Sequence, residues 1–172
     1  MAPKAAKMVD HIPLLFLPND DEATRVLVYF HANAEDIGLA FDLLHAIGSR
    51  LRAHVIAVEY PGYGLYKSSS PNEAQIKEDS RIVYDYLTTI CGIAQEDILL
   101  FGRSMGSGPS SYLSSVRQPH ALILMSPYTS IKNAAKAILG WASFLGFMVA
   151  ERFRNIDAIK SARCPVLIIH GK

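Results

Sequence analysis

Residues 97–106 read Asp-Ile-Leu-Leu-Phe-Gly-Arg-Ser-Met-Gly, and their order decides the fold. An apolar run, DILLF (97–101), leads into Gly102-Arg103-Ser104-Met105-Gly106, which fits G-x-S-x-G, and a segment of helical period follows at 105–116. That order describes a sharp strand-to-helix turn. A serine at its apex has a strained backbone, and side chains at Gly102 and Gly106 would collide with neighbouring elements. The helix that starts there points free amides and the positive end of its dipole at the space beside Ser104, where a developing oxyanion would be stabilised. The pattern therefore reads as a presented nucleophile. The blander reading is a glycine-rich turn with an inert serine.

Outward from this turn, short β-rich runs alternate with helical segments. Residues 25–31 (RVLVYFH), 54–60 (HVIAVEY), 120–125 (HALILM) and 165–170 (PVLIIH) read as strands. They are nearly continuous apolar runs, as expected of parallel strands covered on both faces. Residues 12–17 (IPLLFL) form a weaker strand that Pro13 confines to a sheet edge. Helices are expected over 36–51, where Leu39, Leu43, Leu44 and Ile47 share a stripe, and over 131–150. Another starts in the Ser-Pro-Asn-Glu of 70–73, a capping-box pattern with Pro71 at the first helical position. Such alternation implies an α/β fold, a doubly wound, mostly parallel sheet with helices on both faces and right-handed crossovers. Ligands bind such sheets beyond the carboxyl ends of their strands.

Composition sets the outer limits. The chain has 172 residues, 50% hydrophobic and 19% charged, with a net charge of +1. This is a globular composition sized for one domain, residues 1–172, with a sizeable core. Near-neutral charge and the lack of a Lys/Arg cluster argue against a nucleic-acid partner. Two cysteines make no disulfide framework, and no Asn-x-Ser/Thr acceptor occurs, which fits a reducing, cytoplasmic compartment. Cys91 and Cys164 also lack histidine companions at metal-like spacing, so no metal or cofactor is implied. The lysine-bearing residues 1–10 have no apolar region behind them and do not read as a secretory signal.

A second loop belongs with the turn at Ser104. Residues 30–36 (FHANAED) end an earlier strand, and a loop there can supply a second backbone amide for an oxyanion hole. The amides of Asn33 and Met105 are the expected pair. His31 reads either as a residue orienting this loop or as a satisfied histidine in a turn, and Arg103 as a structural contact beside the elbow. Tyr60 to Gly64 reads as a turn shaping the rim of the cleft, and Ser126, followed by proline, as a structural turn.

At this point the chain resembles the α/β-hydrolase superfamily, in particular the branch of protein depalmitoylases and their serine-aminopeptidase-like relatives. HANAEDIG, EYPGYG, SPNE, LLFGRSMGSGP, MSPYTS and CPVLIIHG match in the family's order, from about residue 25 onward. The resemblance implies hydrolysis of an ester or thioester, with Ser104 as nucleophile and a small-molecule or acylated-protein substrate. Ala32 stands where the family usually has glycine, and no cysteine precedes Cys91, whereas the depalmitoylases carry a lipidated N-terminal cysteine cluster.

The family's acid and histidine fall beyond the His-Gly that corresponds to His170-Gly171, and the sequence stops at Lys172. The fold is accordingly expected to be C-terminally incomplete. Two readings follow: a truncated piece of a longer hydrolase, or a non-catalytic hydrolase-fold subunit acting in an assembly. An internal set of Ser104, Asp157 and His170 has the right order. Asp157 precedes the last strand and His170 ends it, which should place them at opposite ends of the sheet. That last strand would be an uncovered edge, expected to meet a partner or the missing segment.

The apolar stretch at about 131–155, with Trp141 and Phe144, stands where the family inserts a cap. Its uncharged part, 137–150, is shorter than the ~20 residues a spanning helix needs. It reads as an acyl-chain roof, as a patch in peripheral contact with a membrane surface, or simply as residues packed on the sheet.

Overall fold

Alternate residues of the central strands face two different cores. The computed structural model describes residues 11–20, 22–66, 72–129 and 153–171. Within them, β1 (Leu14–Leu17), β2 (Arg25–Phe30), β3 (Ala53–Val58), β4 (Ile98–Arg103), β5 (Ala121–Met125) and β6 (Val166–Ile169) form one sheet in the order β1-β3-β2-β4-β5-β6. β1 is antiparallel to β3, and every other pairing is parallel. Val26, Val28, Phe30, Ile98 and Leu100 look one way, onto Ile76, Val83, Tyr84 and Leu87 of α2 (Glu73–Thr89) and Leu113 of α3 (Ser107–Val116). Leu27, Tyr29, Leu99 and Phe101 look the other way, onto Leu44 of α1 (Phe41–Leu51). Helices on both faces explain why these strands read as unbroken apolar runs.

Coverage fades toward the edges. All four residues of β6 are exposed, at 36% for Val166, 55% for Leu167, 54% for Ile168 and 43% for Ile169. Fully burying one such side chain is worth roughly 1.5–3 kcal/mol, so this strand leaves much of its stabilisation unused.

Some boundaries differ from expectation. Asp36 to Ala40 form turns, in which Leu39 N–H donates to Asp36 Oδ1, and α1 begins only at Phe41. The α2 cap is Asn72, whose side chain accepts the Gln75 amide at 2.8 Å. Asn72 therefore takes the place assigned to Ser70, because its own oxygen reaches the third helical amide. The expected helix over 131–150 lies outside the described residues. The last three positions of the expected cap, 153–155, are described: Phe153 and Asn155 are buried, and Asn155 opens α4 (Asn155–Lys160). Among the described residues no helix is long and apolar enough to cross a membrane.

Candidate active site

The register of β2 on β4 brings the two loops of interest together. Phe30 pairs with Gly102, so the chain leaves β2 and β4 side by side at the carboxyl edge of the sheet. From β4 it passes through a single 3₁₀ turn, Ser104–Gly106, into α3. Ser104 sits at this junction with φ +48°, a left-handed conformation that an L-residue holds only under constraint. Its side chain is partly exposed.

Both flanking glycines are required by close approach. A Cβ on Gly106 would overlap the Phe30 carbonyl, and one on Gly102 would overlap Ser110 Oγ and the Gly106 carbonyl. The elbow is thus pressed against the end of β2 with no room for a methyl group.

A buried network fixes the elbow from below. Ser107 Oγ donates to the Ser104 carbonyl at 2.6 Å, and Asn155 Nδ2 donates to Ser107 Oγ at 2.7 Å and to the Tyr128 carbonyl at 2.9 Å. Tyr128 OH in turn donates to the Met105 carbonyl at 3.2 Å. Burial first, and then the negative charge of Glu73, push the Tyr128 phenol far above its ordinary range, so it remains a donor. As the second residue of the turn, Met105 has an N–H with no carbonyl behind it inside the helix, which leaves that amide for an external acceptor.

Asn33 lies on the loop opposite. Its side-chain Oδ1 accepts Tyr63 OH at 2.6 Å, and the same hydroxyl is 3.8 Å from Met105 Sδ. One tyrosine therefore touches both residues whose amides the sequence singles out. His31 is fully buried and has both ring nitrogens engaged, Nδ1 with the Ala32 carbonyl at 2.9 Å and Nε2 with Glu59 Oε1 at 2.8 Å. Its ring stacks on Tyr60 at 4.0 Å, and Tyr60 OH donates to its carbonyl. No ring nitrogen is left for proton transfer at Ser104. These contacts tie His31 to its own loop and to Glu59 and Tyr60.

Three polar residues join this site without having been singled out in the sequence. Glu59 holds His31, Glu35 bonds Arg103 at 2.8 Å, and Asn155 holds Ser107. Asp157 and His170 do not converge on Ser104. Asp157 pairs with Arg154 Nε at 2.8 Å, and His170 Nδ1 contacts the Gly171 carbonyl. The reason differs from the one expected. α4 begins beside Tyr128 and Thr129, past the carboxyl end of β5, so Asp157 starts from the elbow's end of the sheet and is simply engaged elsewhere. Trp141 and Phe144 lie outside the described residues. Among the described residues no group of three metal-capable side chains is found.

This arrangement, a serine on a strained strand-to-helix turn in a mostly parallel sheet, can be set against known proteins. No family model matches the chain. It is 32% identical over 162 residues to alpha/beta hydrolase domain-containing protein 17B of Homo sapiens, covering 94% of this chain and 54% of that protein. It is 32% identical over 145 residues to alpha/beta hydrolase domain-containing protein 17C of Mus musculus, covering 84% of this chain and 43% of that one. Among solved structures, an alpha-beta hydrolase from Vibrio vulnificus superposes with a TM-score of 0.71 at 22% identity, over 84% of this chain and 56% of that chain. A soluble variant of monoglyceride lipase from Saccharomyces cerevisiae superposes with a TM-score of 0.58 at 16% identity, over 93% and 73%. The chain has the α/β-hydrolase fold and is similar in sequence to proteins named for it. It spans about half the length of the curated relatives it matches.

Proposed function

We propose that the chain carries the nucleophile and oxyanion hole of a serine hydrolase acting on carboxylic esters or thioesters. The observation that supports this most strongly is Ser104 at φ +48°, partly exposed, on a turn held by Gly102, Gly106 and the Ser107–Asn155 network. In this reading Ser104 Oγ attacks the carbonyl carbon, and the oxygen that becomes negative accepts the Asn33 and Met105 N–H groups. A serine hydroxyl needs a base, and the base an orienting carboxylate. We assign both to sequence beyond residue 172, because His31, Asp157 and His170 are engaged in other contacts. The substrate is a small acyl ester or an acylated protein. Depalmitoylation is the choice that the resemblance favours, with the apolar stretch at about 131–155 as acyl roof or membrane contact.

The test is labelling by a fluorophosphonate, on this chain and on one continued through the downstream reading frame. Labelling of the longer protein, abolished by Ser104→Ala, is the expected result. No labelling of either rejects the reading.

The half-exposed edge strand β6 favours a second reading, a hydrolase-fold subunit whose edge strand pairs with another protein in an assembly. Purification in a stable complex that Ile168→Lys dissolves, without any labelling of Ser104, would favour it over the first.

A further inference from the structure

Glu35 and Arg103 join the two halves of the site by an ion pair that the reading of Ser104 does not itself require. Arg103, the residue before Ser104, donates from Nη1 to Glu35 Oε1 at 2.8 Å. The other oxygen, Oε2, accepts the Ala32 N–H at 2.9 Å and Tyr29 OH at 3.1 Å. A single carboxylate thus closes the turn that contains Asn33 and fastens that turn to the elbow. The turn needs such a clamp, since Ala34 within it has φ +57° and a non-glycine residue there must be held by its surroundings. Tyr29 is a permanent donor to the clamp, because burial first and the Glu35 charge second push its phenol far above the ordinary range.

As a source of stability the pair is minor. Arg103 is 42% exposed and Glu35 13%, and solvent screening leaves such a pair little net contribution to stability. Its leverage is geometric. The Asn33 amide and the Ser104 hydroxyl come from elements far apart in the chain, and the pair bridges 68 positions of sequence. Small errors in such spacing are costly to a reaction, with a misplacement of about 1 Å worth up to 10²-fold in rate.

We infer that Glu35 and Arg103 form a positioning couple that sets the spacing between the Asn33 amide and Ser104, acting on turnover rather than on substrate affinity. The inference rests on the proposed role of Ser104 as nucleophile. The competing role for Arg103 is direct contact with an anionic substrate group, which would act on affinity instead.

The experiment compares the full-length protein with Arg103→Met, Glu35→Gln and the double variant, using an uncharged and an anionic p-nitrophenyl ester. Each single change should lower kcat about 10- to 100-fold for both esters. KM for the uncharged ester should stay within about twofold, and the double variant should be no slower than the slower single one. Arg103→Lys should recover part of the rate. Additive losses, or a rise in KM confined to the anionic ester, overturn the couple. A second readout needs no turnover: hydrogen exchange at the Ala32 amide should quicken about tenfold in Arg103→Met, since Glu35 is then free to swing away. Unchanged exchange with intact wild-type turnover overturns the couple alone. A wild type that neither turns over nor labels overturns the nucleophile reading, and the rate claim with it.

Discussion

His31 and Glu59, both fully buried, meet with Nε2 2.8 Å from Oε1, and this contact joins the loop after β2 to the loop after β3. Glu59 Oε1 also faces the Tyr60 amide at 3.2 Å, and His31 Nδ1 faces the Ala32 carbonyl. Removing one member of such a buried pair strands the other without solvent, at a cost of about 3–5 kcal/mol. Glu59→Ala should therefore lower stability by that order, measured as a shifted urea midpoint at unchanged slope. Glu59→Gln, which keeps a carbonyl oxygen, should lose less. A Glu59→Ala midpoint within error of wild type would remove the pair from any account of the loop.

Gly106→Ala tests the packing of the elbow on β2. Its Cβ would meet the Phe30 carbonyl, which cannot rotate away as a side chain could. Overpacking usually costs about 1–3 kcal/mol, and this site should lie at the top of that range. Thermal unfolding gives the measurement. Gly92→Ala is the control: nothing stands near its Cβ, so any loss there comes from its φ of +69° and not from collision.

Much of this site was legible locally. Gly102, Ser104 and Gly106 announce their turn within five residues, because the steric demand and the residues that meet it are adjacent in sequence. The parallel sheet was equally legible from continuous apolar strands. Glu35, Glu59 and Asn155 were not, for each acts across the fold, at separations of 68, 28 and 48 residues from its partner. One signal was available: Glu59 follows directly on an unbroken apolar run, and an ionisable group at the end of a buried strand needs a partner. Asn155 offered none, since it was counted with the apolar insertion that it terminates. The α2 boundary slipped for a related reason. Ser70 and Asn72 both have capping side chains, and only the path of the chain decides which one reaches the helix amides.

Asn155→Ala should loosen the elbow from below. It leaves Ser107 Oγ and the Tyr128 carbonyl without their donor in a buried setting. Unsatisfied buried groups cost about 1–3 kcal/mol. The expected outcome is a destabilisation of that size together with slower fluorophosphonate labelling of Ser104. Asn155→Asp should be worse, because a carboxylate donates to neither partner and adds a buried charge.

Acid should weaken the protein partly through Asp85. Its carboxylate takes Arg117 Nε and Nη2, each at 2.8 Å, and Arg81 Nη1 at 2.9 Å. The Arg117 hydrogen bonds, foremost, hold the Asp85 carboxyl below the ordinary carboxylate range. A carboxyl with a depressed folded-state pKa stabilises above its unfolded value of about 3.9, and that contribution fades as pH falls from there through the folded value. Asp85→Asn should flatten this part of the acid limb while leaving its slope above pH ~5 unchanged. Partial exposure keeps the effect at about 1 kcal/mol or less. Identical limbs in urea titrations from pH ~2 to ~5 would assign acid sensitivity to other carboxylates.

Tyr63→Phe separates orientation from folding at the loop that holds Asn33. The hydroxyl donates to Asn33 Oδ1 at 2.6 Å and touches Met105 Sδ, while the ring packs edge-on to His31 and Tyr60 at 5.4 and 5.8 Å. Phenylalanine keeps the ring contacts and loses only the hydroxyl. Because Asn33 is exposed, its freed oxygen can turn to water, so stability should change by less than ~1 kcal/mol. If the Asn33 amide serves the oxyanion as proposed, its loop then loses a tether, and labelling of Ser104 should slow by up to ~10²-fold, the scale set by donor loss or misplacement in an oxyanion hole. Burial first, and then the Glu59 charge, push the Tyr63 phenol above its ordinary 10.0, so the hydroxyl remains a donor through neutral and mildly alkaline pH. The wild-type advantage over Tyr63→Phe should accordingly be constant across that range. An advantage that disappears on mild alkalinisation would show that a different proton, not the Tyr63 hydroxyl, holds Asn33 in place.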